Sequence, residues 1–220
     1  MSEEPRYLND VPEGYDEPRC QYAFKDDDLQ LYKLRCGLPA WEGAPEEDPR
    51  CEFHSAARPP DLSQRLQRTL RVGNKLAEAK LAGILLVPLE LSLPNAYLYR
   101  TDLTEAILYG VQLPHALLSG TDFTAASIVA GSDLSQANID GSSFAGAELS
   151  TTKLPGATLD RADLSGTNCR QAILSGALLR QAKLRPLSYG EAEQHSRRHH
   201  LGWTRPPSLA QADLDQKSVV

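Results

Sequence analysis

Three cysteines and a histidine in the first quarter of the chain are the residues whose types and spacing could do chemistry. Cys20, Cys36, Cys51 and His54 leave gaps of 15, 14 and 2 residues, the last pair standing in the run Arg50-Cys51-Glu52-Phe53-His54. Three thiolates and an imidazole are a sound ligand set for tetrahedral Zn2+. With all four positions supplied by protein the site reads as structural, because a catalytic zinc keeps one position open for water. The surrounding segment needs such a constraint. Residues 1–62 hold 15 acids, 7 bases and 8 of the chain's 15 prolines, too little apolar material for a core of their own, and a bound metal would supply the missing tether. The competing reading is a loosely ordered segment with incidental cysteines.

Other candidates are weaker. His195, His199 and His200 sit four and five residues apart on a predicted last helix, but no acid or Cys is tied to them, and a solvated cap accounts for them. His115 stands in an outward position with no partner that can be named. The chain carries no nucleophile elbow, P-loop or dinucleotide fingerprint, so enzymatic activity has no positive support.

The elements that must carry these residues follow from a second pattern. The chain has 34 Leu and 25 Ala but only 6% aromatic residues among 220, a skew that suggests repetition. From Ala96 onward a small residue recurs every fifth position with a larger apolar residue two places later, as in Ala96/Leu98, Thr101/Leu103 and Ala162/Leu164. One extra residue around 129–131 shifts the frame, which resumes at Ser132/Leu134 and runs to Ala182/Leu184. Of the 18 centres, 13 are Leu, and of the 18 small positions, 11 are Ala. Neither a helical period of 3.6 nor a strand period of 2 fits a strict five, so the chain must turn a corner in every repeat. Gly ends seven repeats, among them Gly110, Gly156 and Gly176, where a corner needs positive φ as in a type II turn.

Repeats such as Ala162-Asp163-Leu164-Ser165-Gly166 resemble the pentapeptide-repeat family over residues 96–185. The resemblance implies an all-β solenoid, a right-handed, four-sided β-helix with one repeat per side and 20 residues per coil, Leu and the small residue pointing inward. A helix this narrow is packed solid by its own side chains, so no internal ligand cavity is expected, and Cys169, at a centre position, reads as a small buried hydrophobe. The Cys/Cys/Cys/His set resembles a small zinc-binding module found ahead of other sequences in bacteria and archaea and ending in Cys-x-x-His, here with a longer first gap. Strand-like stretches 21–24 and 29–34 would bring Cys20 and Cys36 together as a hairpin, with Cys51 and His54 on a later turn.

The open ends of a β-helix must be covered. Leu62, Leu66 and Leu70 share one face of a predicted helix with Asp61 as N-cap and Gly73 as its stop. Ser188 and Glu191 read as the capping box of a second helix over about 189–200. The chain thus divides into an acidic, Pro-rich segment 1–60 with a zinc module at 20–54, a capping or linker helix 61–75, a β-helix 76–186 whose first coil is irregular up to a shift near Ser92, and a C-terminal cap helix with flexible tail 187–220.

Composition narrows the function classes. The longest apolar run, Leu81 to Leu89, includes Pro88 and is about half the ~20 residues of a membrane-spanning helix. Met1-Ser2-Glu3-Glu4-Pro5 has acids where a secretory leader has bases, so a cytoplasmic location with reduced cysteines is expected. A solid column acts through its surface, and the expected function is a non-enzymatic binding or scaffold role toward a protein partner, with room for a homodimer. Tyr97, Tyr99, Ile107, Tyr109, Leu117 and Val129 cluster at outward positions of the first coils, where the N-terminal module or helix 62–72 is expected to pack. Two alternatives stay open. Some members of the family mimic double-stranded DNA and bind DNA gyrase or topoisomerase, but residues 93–186 balance 8 acids against 7 bases, and mimicry needs dense negative charge. Nucleic acid could instead meet the zinc module and Arg65, Arg68, Arg71, Lys75 and Lys80, although the module itself is acidic.

Overall fold

The five-residue period becomes a corner because each centre carbonyl accepts a hydrogen bond from the amide three residues on. Ala106 N donates to Leu103 O and Ala157 N to Leu154 O, both at 3.1 Å, and the residue just before each donor has positive φ, 60° at Glu105 and 66° at Gly156. That is the type II pattern. Gly156 adopts it freely, whereas an L side chain such as Glu105 or Arg161 costs roughly 1–2 kcal/mol in the left-handed region. Non-glycine residues at the same position show that stacking imposes the corner. These features come from the computed structural model, which describes residues 6–10, 18–24, 34–42, 46, 49–55, 59–73, 75–86 and 92–185.

The coils stack in parallel, and their register records where the period slips. Tyr97 pairs with Leu117 and Asp102 with Asp122, 20 residues apart. Across the extra residue the spacing is 21, as in Gln112 with Asp133 and Leu117 with Asn138, and it returns to 20 at Asp133 with Lys153. Ala130 (φ 59°) and Gly131 (φ 71°) absorb that residue as two successive left-handed positions. The first coil starts at Leu76, 22 residues from its partner Leu98, and the spacing falls to 20 at Ser92 with Gln112, as the predicted shift near Ser92 requires.

Most repeats pair through single bridges, and the longer pairings form short strands. In chain order the described elements are β1 (Arg6–Tyr7), β2 (Leu34–Arg35), α1 (Leu62–Arg71), β3 (Leu76–Ala77), β4 (Leu85–Leu86), β5 (Leu98–Tyr99), β6 (Ile107–Tyr109) and β7 (Ser127–Val129). β3 pairs with β5, and β4, β6 and β7 form a three-stranded parallel sheet on one side of the column. β1 and β2 form a separate parallel pair.

Centres from Leu103 to Leu174 and small positions from Thr101 to Ala177 are buried, and Phe123 and Phe144 stack across neighbouring coils with ring centroids 4.8 Å apart. Ser and Thr fit the small positions because their hydroxyls have an acceptor inside. Thr121 Oγ1 donates to Leu98 O, Ser142 Oγ to Leu118 O and Thr167 Oγ1 to Phe144 O, each at 2.8 Å, as buried hydroxyls require; Thr101 Oγ1, on the first regular coil, is buried without such a partner among the described residues. Cys169 is 2% exposed, and burial pushes its thiol up to about 12, as expected of a core residue.

At the N-terminal end, Leu66 and Leu70 of α1 meet Leu93, Leu98, Leu103 and Leu108, with a void of only about 10 Å³ between them. Gly73, at φ 80°, follows the helix and donates to Leu70 O. Asp61 sits at the N-cap position but makes no side-chain cap. Its carboxylate instead accepts from Arg65 Nε at 2.9 Å, a charge-assisted bond that outcompetes a helix amide. The predicted stretch at 29–33 and the C-terminal cap helix and tail at 187–220 lie outside the described residues.

Phe144→Ala should lower stability by roughly 3–5 kcal/mol, whereas Thr158→Ala, on an outward rung, should stay within about 0.5 kcal/mol. Denaturant unfolding checks this, and equal losses would contradict the inward and outward assignment.

Candidate metal centre

Antiparallel pairing of residues 19–24 with 34–39 brings the first two cysteines together. Cys20 N donates to Leu38 O (2.8 Å), Gly37 N to Cys20 O (3.2 Å) and Cys36 N to Tyr22 O (3.0 Å). Cys20 and Cys36 are thus brought together by antiparallel pairing as expected, but between 19–24 and 34–39, while most of the expected stretch 29–34 lies outside the described residues. A tight turn supplies the other pair, with His54 N and Ser55 N both donating to Cys51 O at 3.1 and 3.0 Å. Turn and hairpin are tied where Gln21 N donates to Pro49 O and Trp41 N to Arg50 O.

The four predicted ligands converge. Cys20, Cys36, Cys51 and His54 are all buried, and their ligand atoms lie within 4.8 Å of one another. Cys36 and Cys51 Sγ are 3.9 Å apart, and His54 Nδ1 lies 3.2 Å from Cys51 Sγ and 3.6 Å from Cys20 Sγ. A tetrahedral zinc with ~2.3 Å Zn–S bonds puts its ligand atoms roughly 3.8 Å apart, so this group could hold such an ion with little movement.

The imidazole is oriented for that role. His54 Nε2 lies 2.8 Å from Ala77 O, and a carbonyl only accepts, so Nε2 carries a proton and Nδ1 is the ring atom that faces the sulfurs. Such an outer hydrogen bond commonly fixes a histidine ligand. The sulfurs share their protons unequally. Hydrogen bonds from Cys36 and Cys51 pull the Cys20 thiol far below its usual range, the same bond to Cys20 pushes Cys36 up, and burial pushes Cys51 up.

Several supporting residues had no signal in the sequence. Tyr22 stacks on His54 with centroids 4.3 Å apart and rings 3° from parallel, Phe24 meets His54 edge-on at 5.9 Å, and the Tyr22 hydroxyl donates to Glu78 at 2.7 Å. Asn9 Nδ2 donates to Cys36 O (2.8 Å) and Lys75 O (3.0 Å), while Lys75 N donates to Asn9 Oδ1 (2.7 Å). An isolated Asn in a polar segment gives no hint that it clamps residues 27 and 66 positions away.

The other predicted candidates do not join this centre. His115 is an exposed corner residue with φ 59°, and His195, His199 and His200 lie outside the described residues. The expected apolar cluster splits. Tyr99 is buried, Tyr97, Leu117 and Val129 are half-buried, and Ile107 and Tyr109 are exposed at 46% and 53%. The N-terminal part does not cover all six as expected, because β6 lies on the sheet with β4 and β7 while Tyr99 sits on the β3 pairing that anchors the metal-site module.

A family model for pentapeptide repeats matches in eight copies over residues 91–120, 118–154 and 142–185. Solved structures similar to this chain include HetL, a pentapeptide repeat protein involved in heterocyst differentiation regulation from the cyanobacterium Nostoc sp. strain PCC 7120 (28% identity, 51% of this chain and 58% of HetL covered, TM-score 0.28). They also include the pentapeptide repeat protein Rfr23 from the cyanobacterium Cyanothece 51142 (20% identity, 72% and 98% covered, TM-score 0.33). A third is a pentapeptide repeat protein from the Arabidopsis thaliana thylakoid lumen (23% identity, 56% and 74% covered, TM-score 0.31). The match spans less than two thirds of HetL's own length. No curated protein matches the chain.

His54→Phe keeps an aromatic ring against Tyr22 but leaves Ala77 O without its donor. It should cost about 1–3 kcal/mol even in metal-free protein, read by denaturant unfolding in the presence of a chelator; an unchanged midpoint would show that the His54 hydrogen bond does not hold the first coil.

Proposed function

We propose that this chain, whose residues 91–185 belong to the pentapeptide-repeat family, is a non-enzymatic binding or scaffold protein that works through the outer faces of its right-handed β-helix. In this reading Cys20, Cys36, Cys51 and His54 hold a structural zinc ion, and the metal-site module and α1 together cap the first coil.

One face carries the binding reading. On the β4-β6-β7 sheet, Leu85 lies in register with Ile107, and Tyr109 with Val129. Leu85, Ile107 and Tyr109 are 51%, 46% and 53% exposed. The column is filled by its own side chains, so a partner can reach only outward positions. Apolar side chains aligned on a flat sheet offer such a partner about 25 cal/mol per Å² buried, and farther along the same ladder Glu148 and Asn168 supply a polar rim. A full-length chain used as bait should retain a partner that Ile107→Lys with Tyr109→Lys releases, while Asn138→Lys on another face keeps it. Equal retention by both variants would rule out this face.

The charges of the column weigh against the DNA-mimic alternative. Asp140 pairs with Arg161, Asp160 with Arg180 at 3.0 Å and Asp163 with Lys183 at 3.4 Å. Asp102, Asp122 and Asp133 accept amides two residues on, at 3.1, 2.9 and 2.8 Å. The acids serve corners and coil-to-coil pairs, and no unbroken negative stripe results.

The zinc reading rests on the buried, convergent donor set. When bound, zinc would tether the hairpin to the Cys51–His54 turn, and the His54 contact with Ala77 would carry that tether to the first coil. The purified chain should contain about one equivalent of zinc, Cys36→Ser should lower it, and chelation should lower Tm by several degrees. A metal-free chain with an unchanged melting curve would remove zinc from the proposal.

A further inference from the structure

The two ends of the column are closed unequally. α1 lays Leu66 and Leu70 over the first coil. In the last coil Cys169 and Leu174 are 2% exposed, whereas Leu179 and Ala182 are half-buried and Leu184 is 42% exposed. The backbone of that second half is open too. Earlier in the column the centre amides donate to the coil above, as Leu159 N does to Leu178 O (2.7 Å) and Leu164 N to Lys183 O (2.9 Å). The amides of Leu179 and Leu184 have no such acceptor among the described residues, and Ala177 O and Ala182 O lack the donors that Ala157 O and Ala162 O find in Leu178 N and Lys183 N. Apolar centres beside an unpaired sheet edge need a cover.

The path of the chain names the occupant. The described residues end at Arg185, whose carbonyl accepts from Gly166 N at 3.0 Å, so the chain leaves the column stacked on the corner that precedes Cys169. Cys169 and Leu174 stand on the two sides that a continuing chain reaches first, Leu179 and Leu184 on the two that it reaches later, and only the first two are buried. The corner itself points the same way: Ser165 and Gly166 are buried, while Ala145 and Gly146, one coil below, are half-buried. The sequence continues for 35 residues past Arg185, and the 10 residues of α1 suffice at the other end. In that stretch Leu187 and Tyr189 come at once, and the next large apolar residues are Leu201 and Trp203.

We infer that residues 187–203 fold back across this end, with Leu187 and Tyr189 beside Cys169 and Leu174, and with Leu201 and Trp203 on Leu179 and Leu184. Trp suits the place, because its ring covers apolar surface while its N–H meets an edge with an open carbonyl. A second copy fits less well, since half of the end is already closed to an unbroken stack of coils. This closure is separate from partner binding on the β4-β6-β7 face, so either can fail without the other.

The test reads Trp203 in the full chain carrying Trp41→Phe, which leaves one indole. Its emission should be blue-shifted from that of the urea-unfolded chain, and its quenching by acrylamide severalfold weaker, at every protein concentration. Leu184→Lys should cancel both differences, and Ile107→Lys, far down the column, should cancel neither. Leu184 stands outside the packed core, so the column survives its replacement. If Trp41→Phe fails to fold, the difference between the unaltered chain and Trp203→Phe gives the same reading. Quenching as strong as in the unfolded chain, or indifference to Leu184→Lys, would overturn the inference. Protection that appears only with rising concentration, alongside a dimer in sedimentation, would assign the end to a second copy and overturn it too.

Discussion

Each coil of the column is held by backbone hydrogen bonds to the coils beside it, and the rest of the structure depends on that pairing. Leu134 N donates to Lys153 O and Lys153 N to Ser132 O, at 2.7 and 2.8 Å, and the pattern repeats along each side. To keep every amide opposite a carbonyl of the next coil, each side must be one repeat long and each corner must turn through the same angle. This is why Arg161 and Gln171 accept left-handed backbone where glycine would be easier, and why the inserted residue near Ala130 is set aside at a corner while the centres on either side stay stacked. The pairing also keeps the interior narrow, so that Ala, Ser or Thr beside a Leu or Phe fills it.

A stack held between coils leaves its first coil paired on one side only. The N-terminal part answers this at several points on a short stretch. Lys75 is clamped by Asn9, Ala77 accepts from His54, Glu78 accepts from Tyr22, and Lys80 N donates to Phe53 O at 2.8 Å. All four links land on residues 75–80, where the column begins. Two of them come from the Cys51–His54 turn, so anything that steadies the sulfur cluster also steadies the start of the β-helix. α1 contributes differently, by placing Leu66 and Leu70 over the apolar end.

The outer surface is shaped by the same geometry. Ladder positions put like residues above one another, and opposite charges 20 or 21 residues apart become neighbours, as with Asp160 and Arg180. Exposed pairs of this kind contribute little stability each, but they cancel the field that a run of acids would create. What remains distinctive is local: the apolar sheet face around Ile107 and Tyr109.

Much of this was legible in the residues alone. The repeat frame, its two slips, the inward centres as far as Leu174 including Cys169, and the corner positions follow from a pattern that each five residues restate, and the leucine face of α1 from a four-residue spacing; the last centre, Leu184, is exposed instead. A signal repeated locally survives without knowledge of distant contacts. The metal-site residues could be named from donor chemistry and from the poverty of the segment around them. Tertiary structure alone decided how they meet: that three sulfurs and Nδ1 converge, that Ala77 fixes the imidazole, that Asn9 and Tyr22 join the module to the column, that Asp61 turns to Arg65 and not to the helix end, and that Tyr99 is buried while Tyr109 is not. Each of these depends on one contact between segments, made once and with no periodicity, and such a contact leaves no trace in the spacing of either partner.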